Sequence, residues 1–158
     1  MRRAIILNSK EVKLITAMIT EQFGLSFGKE YAYIENSKGK IFIVTKEIST
    51  IDIDSLRTDR FGLYIGERGK TQIRLSMEGA QLLAALAKKR DIQLKNVIEI
   101  SKDELKQYFN GEKLPRKNET ENKLVLLSYN GNIIGCSSLK EGDLFNYMPK
   151  IHRGTVIV

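Results

Sequence analysis

The chain has 158 residues, 42% of them hydrophobic and 28% charged, with a formal net charge of +7 and a pI near 9.5. That length fits one ordinary domain or two small ones, and the composition excludes wholesale disorder. No apolar run approaches the ~20 residues of a membrane helix, and the lone Cys136 has no second cysteine with which to pair.

After its two arginines the N-terminal stretch MRRAIILNSK has only four apolar residues, too few for the core of a signal peptide. Cytoplasmic residence is therefore expected, and a single cysteine suits a reducing compartment. The positive charge favours a polyanionic partner. Its distribution is uneven: residues 1–95 carry 17 Lys+Arg against 11 Asp+Glu, and residues 96–158 carry 9 against 8. A thermophile's surface of charge networks is the plainer explanation, but it would need a nearer balance.

Val12, Ile15, Ile19 and Phe23 fall on one face of a helix predicted over 10–23, with Ser9 placed to cap it and Gly24 to stop it. YAYIE (31–35) and KIFIVTKE (40–47) read as strands joined across Asn36-Ser37-Lys38-Gly39. RFGLYIGE (60–67) and TQIRLSM (71–77) form a second pair. The glycine-rich GERGK between them reads as a hairpin tip and not as a phosphate cradle. An amphipathic helix follows over 78–90 with Leu82, Leu83, Leu86 and Ala87 inward. Its closing Lys88-Lys89-Arg90 suits the negative end of a helix dipole, which would account for the triplet without any partner.

After a break near 91–95, NVIEIS (96–101) is a predicted strand leading to a helix over 102–110. Ser101 and Glu104 there have capping-box spacing, and Gly111 sits at the stop. Residues 112–122, with Pro115 and six charges, are expected to be a solvated loop. KLVLLSY (123–129), Asn130-Gly131 and NIIGCSSL (132–139) make a clear hairpin, since Asn-Gly suits a type I′ turn. Further strands are expected at 144–147 and 155–158. The fold class is α+β, an N-terminal α/β domain over 1–94 and a small mixed β-barrel domain over 95–158.

No Walker or dinucleotide-binding loop is present, and one cysteine with one histidine cannot supply a Cys/His structural zinc site. Cys136 and His152 could be named nucleophile and base, but Cys136 lies on an apolar strand where cysteine packs as a small hydrophobe. No constellation for covalent chemistry, no metal and no cofactor is expected. Binding asks for less: cations for phosphates, flat rings for bases and amides for base edges. The segment KEGDLFNYMPKIHRG (140–154) offers Lys140, Lys150, His152 and Arg153 as the first, Tyr147 and Phe145 as the second and Asn146 as the third. Strand alternation separates Leu144 and Asn146 from Phe145 and Tyr147, so one aromatic is expected in the core and one at the surface.

From NVIEISKDELKQYFNGEKLP to NYMPKIHRG the chain resembles the PUA-type domain of Sun/Fmu-like RNA cytosine-5 methyltransferases. The likeness rests on a helix ending F-x-G-E, on Gly131 and Gly135 in the hairpin, and on an N-x-x-P-K tail. IFIVTKEIS and LRTDRFGLYIGERGKTQIRLSMEGAQLL resemble the pre-PUA domain of small ribosome-biogenesis factors, with Ile73-Arg74-Leu75 as the strand before the linking helix. The resemblance implies a free-standing pre-PUA plus PUA protein that binds structured rRNA or tRNA. Arg68, Lys70 and Arg74 would then extend the basic surface of Lys140, Asn146, Tyr147, Lys150, His152 and Arg153. The catalytic domain and nucleophilic cysteine of those methyltransferases have no room here. The expected role is therefore ribosome biogenesis or RNA modification without catalysis, beside an RNA methyltransferase or a ribosome-assembly factor. The alternative is an adaptor tethering such a partner through an apolar patch of Leu25, Phe27, Tyr31 and Tyr33.

Overall fold

A computed structural model of the chain describes residues 4–50, 61–150 and 153–154. Strand β1 (Ala4–Ile6) leads into α1 (Ser9–Phe23), and the chain returns as β2 (Tyr31–Asn36) and β3 (Lys40–Thr45). A 3-10 turn over Lys46–Thr50 follows; β4 (Leu63–Arg68) and β5 (Ile73–Leu75) then complete an antiparallel sheet in the order β1-β2-β3-β4-β5. Helix α2 (Met77–Lys89) closes this half. The second half runs β6 (Val97–Glu99), α3 (Lys102–Phe109), β7 (Leu114–Pro115), β8 (Lys123–Tyr129), β9 (Asn132–Lys140) and β10 (Asp143–Phe145). Its sheet has the order β6-β8-β9-β10-β7, with β6 parallel to β8 and every other pair antiparallel. The fold class is the expected α+β arrangement of an α/β unit followed by a curled, mostly β unit.

The helices start and stop where side chains satisfy their open backbone groups. Asn8, not Ser9, caps α1: Asn8 is extended and its Oδ1 accepts from the Glu11 N–H at 2.9 Å, while Ser9 is already helical. Gly24 ends that helix in the left-handed region, its N–H donating to Thr20 O. Ser76 caps α2, and Ser101 with Glu104 forms the full capping box on α3. Two strands were not expected. β1 has only three residues, and its partner β2 comes some thirty residues later, so no local pattern marks it. β7 arises inside the charged loop 112–122 because Leu114 is fully buried opposite Leu144. The strand expected at 155–158 lies outside the described residues.

Strand β8 decides how the halves join. Its alternate side chains face opposite ways and both faces are covered. Leu124 and Leu126 pack with Ile15, Ile19, Phe23, Ile65 and Leu83 of the first half. Val125 and Leu127 pack with Ile100, Leu105, Leu139 and Leu144 of the second. Cys136 on β9 joins the first of these cores. Helix α2 lies between β4 and β9, pressed so close that a Cβ on Gly79 would stand 2.2 Å from Ile65 O. The connection at 91–96 is pinned as well: Lys95 N–H donates to Phe23 O at 2.7 Å, Asn96 Nδ2 to Gln22 O at 2.6 Å, and Leu126 N–H to Asn96 O at 2.8 Å. Gln22 covers the open edge of β5, its amide exchanging hydrogen bonds of 3.0 and 2.7 Å with the backbone of Ile73.

Leu126→Ala removes a fully buried side chain from the shared core. It is expected to cost about 2–5 kcal/mol in urea unfolding, with the halves still melting in one transition. Two well-separated transitions in the parent protein would show that the halves fold independently.

Candidate nucleic-acid interface

The face of the first sheet turned away from α1 carries a short core of Ala4, Ile34, Phe42 and Phe61. Toward the β3–β4 end it turns polar. Lys40 of β3 stands opposite Glu67 of β4, and Glu67 opposite Arg74 of β5, a row of alternating charge across three strands. Arg74 Nη2 donates to Glu67 Oε2 at 2.8 Å. Between Ile41 and Phe42 the register slips: Gly66 faces Ile41, but Tyr64 faces Phe42, so β4 holds one extra residue. Such a bulge reverses the alternation beyond it. Tyr64, three residues before Glu67, therefore points to the same side as Glu67, Lys40 and Arg74. Its ring lies 5.5 Å from that of Phe42, with Lys40 Nζ 5.5 Å above its centroid. Burial first and Glu67 second hold the Tyr64 phenol above its ordinary pKa, so the ring is neutral.

The C-terminal segment closes the other side. After β10, Asn146 Nδ2 donates to Tyr108 O at 2.6 Å and to Glu112 O at 3.0 Å, while its Oδ1 accepts from Met148 N–H. This clamp to the end of α3 buries Met148 and turns Tyr147 toward the first sheet. The Arg74 guanidinium sits 4.1 Å from the centre of the Tyr147 ring, which is 42% exposed. Between these walls runs a cleft of about 840 Å³, whose lining includes Lys38, Lys40, Tyr64, Arg74, Tyr147 and Pro149. Lys38 is placed by a tight turn in which Asn36 Oδ1 accepts the N–H groups of both Lys38 and Lys40 at 3.0 Å.

Among the described residues that the sequence offered for RNA binding, Arg74 and Tyr147 come together in this cleft. Arg68 is held elsewhere, ion-paired to Glu11 at 2.9 Å and to Glu35 at 2.8 Å and three-quarters buried, so its charge serves the packing of α1 on the sheet. Lys70 is exposed in the β4–β5 turn. Lys140 flanks the Glu141-Gly142 turn directly opposite Asp143, four residues or roughly 13 Å along β9 from the Cys136 level of the cleft. Asn146 has its amide committed to the backbone, as described. Lys150 is exposed just past the cleft's rim at Pro149. Arg153 is exposed, with Nε donating to Met148 O at 3.1 Å. His152 lies outside the described residues. Phe145 is half-buried beneath Lys113, whose Nζ is 4.9 Å from the ring centre.

Lys38, Lys40 and Tyr64 were missed. The only sequence signal for them was the charge excess of the first half, because their approach to Tyr147 depends on a bulge and on the docking of the two sheets. One further expectation changes and one holds. Leu25, Phe27 and Tyr33 are buried in the first core with Tyr31 packed against it, so no apolar docking patch exists there: the strand face that looked available is the one α1 covers. Cys136 is 4% exposed, and burial pushes its thiol up to about 12, so it stays protonated and inaccessible at neutral pH.

Residues 95–153 match the family model described as the methyltransferase RsmF PUA domain. Among solved structures, the chain is similar to a hypothetical protein from the hyperthermophilic archaeon Pyrococcus horikoshii OT3. The two share 16% identity and a TM-score of 0.56, over 98% of this chain and 91% of that one. At that identity the likeness speaks for the fold. No curated protein matches the chain.

Asn146→Ala would strip partners from two carbonyls and one N–H, a loss of about 1–3 kcal/mol in denaturant unfolding. A change below about 0.5 kcal/mol would mean that other contacts hold the tail. Cys136 is expected to resist a thiol reagent at pH 8 until the protein is unfolded. Because its folded pKa is raised from 9.0 to about 12, the stability it contributes is complete below pH 9. That contribution declines as pH rises from there toward 12, when the unfolded thiol ionises first. Rapid labelling of the native protein would contradict this burial.

Proposed function

We propose that this protein binds structured rRNA or tRNA in the cytoplasm and serves ribosome biogenesis or RNA modification without catalysis of its own. The observation that carries the reading is the PUA-domain match over residues 95–153. That match is joined to a surface on which Arg74, Lys40, Tyr64 and Tyr147 interleave cations with aromatic rings. Cations hold phosphates and rings stack bases, the pairing that single-stranded and loop RNA requires. The buried, protonated Cys136 supports a binding role over nucleophilic chemistry at that residue. A partner enzyme such as an RNA methyltransferase, or a ribosome-assembly factor, would supply the chemistry or the destination.

The exposed Lys150 and Arg153 extend the positive surface beyond the cleft, where they would meet flanking phosphates. Such contacts act through counterion release and do not read sequence. The test is fluorescence anisotropy with total tRNA, an rRNA helix and duplex DNA at low and moderate salt. Structured RNA is expected to bind at micromolar or better and to outlast DNA as salt rises. The K150A/R153A variant should weaken RNA binding about equally across sequences and flatten the salt slope by roughly one unit per lost contact. Equal, salt-abolished binding to all three nucleic acids would reduce the protein to a basic surface.

A further inference from the structure

From the cleft between the β3–β5 face and residues 147–149, we infer a site for one unpaired nucleotide of a folded RNA. The base stacks on the open face of Tyr147, and its phosphate lies toward Lys38 and Lys40. This deepens the RNA-binding reading, on which it rests, by naming what enters and where.

The volume of about 840 Å³ falls within the roughly 300–1,000 Å³ of clefts that bury small ligands. The two rings differ in how they are prepared. Arg74 is anchored by Glu67 and covers one face of Tyr147, and the ring's 42% exposure leaves surface for a second flat group. A base stacked there would extend an Arg–Tyr stack already in place, with no side chain left to order. Over Tyr64 the cation is Lys40, a flexible chain whose ammonium stands 5.5 Å from the ring centre. It can swing off the ring to the phosphate of a nucleotide whose base is stacked on Tyr147. The apolar floor of Leu75 and Met148 excludes water beneath the base.

Charge favours a phosphate as well. Lys38, Lys40 and Arg74 face the acids Glu67 and Glu78, and Glu67 is the partner of Arg74. Paired RNA cannot use this site, since bases inside a helix show no free ring face, whereas a bulged or looped base does. A free mononucleotide shares the chemistry. An RNA chain is the favoured source because exposed Lys150 follows Pro149 at the rim, and so the positive surface continues where the next phosphate would lie.

The test compares an RNA stem carrying a single bulged 2-aminopurine with the same stem fully paired, and with AMP alone. The bulged stem is expected to bind roughly tenfold more tightly than the paired one, as stacking of one base allows, and its 2-aminopurine fluorescence is expected to fall. Tyr147→Ala, at an exposed position, and Lys40→Gln, at a part-exposed one, should each remove most of that preference and the quench. Paired-stem affinity should fall by much less than bulged-stem affinity, and the circular dichroism spectrum should stay unchanged. If the parent protein binds both stems equally, or if both variants keep the preference, the nucleotide site is wrong while RNA binding stands. Absence of binding to either stem at micromolar protein would overturn the RNA reading itself. AMP binding as tight as the bulged stem would overturn the RNA chain as the source.

Discussion

Strand β8 is the member on which both halves depend. A strand buried on both faces must place an apolar group at every position, and Leu124 through Leu127 do so without interruption. The even positions complete the core built by α1, α2 and the first sheet; the odd ones complete the core under α3 and the second sheet. Each fully buried leucine is worth about 1.5–3 kcal/mol of transfer free energy. Neither core could lose this strand and remain closed. The two sheets are thus separate in their hydrogen bonding and joined in their packing.

The joint also makes the cleft. With β8 and β9 seated against α2 and β4, the tail after β10 has to pass close to the outer strands of the first sheet. Asn146 determines where it passes: two hydrogen bonds tie it to the carbonyls of Tyr108 and Glu112 at the end of α3, and a third, from Met148 N–H, fixes the turn of the tail. Tyr147 then reaches Arg74. On the facing wall the bulge in β4 turns Tyr64 onto the side that holds Lys40 and Arg74. A single extra residue thereby converts an apolar sheet face into one with a ring between cations. The bulge lies beside Gly66, where a Cβ would come 2.5 Å from Arg74 O, so the close approach of β5 depends on that glycine.

The basic residues show why a cation in a sequence is weak evidence of a site. Arg68 and Arg74 are two strand positions of similar appearance six residues apart. One closes a pair of ion pairs with Glu11 and Glu35; the other lies under an aromatic ring at the mouth of the cleft. Their fates differ because α1 delivers Glu11 to one and the C-terminal tail delivers Tyr147 to the other. Asn146 makes the same point for amides. Its donors looked free to read a base, and they are spent on carbonyls at the end of α3.

What the sequence determined by itself was local: the apolar stripe of α1, the capping box of α3, the Asn130-Gly131 hairpin, the burial expected of Cys136, and the resemblance to a PUA domain carried by the second half. These depend on periodicity, turn chemistry and short motifs, which act over a few residues. Tertiary structure alone decided the pairing of β1 with β2, the burial of Leu25, Phe27 and Tyr33, the register slip at Tyr64, and the meeting of Arg74 with Tyr147 across 73 positions of chain. Each of these depends on which distant segment arrives to cover a face or pair a charge. That outcome is governed by how two cores close around one shared strand, and no local pattern encodes it.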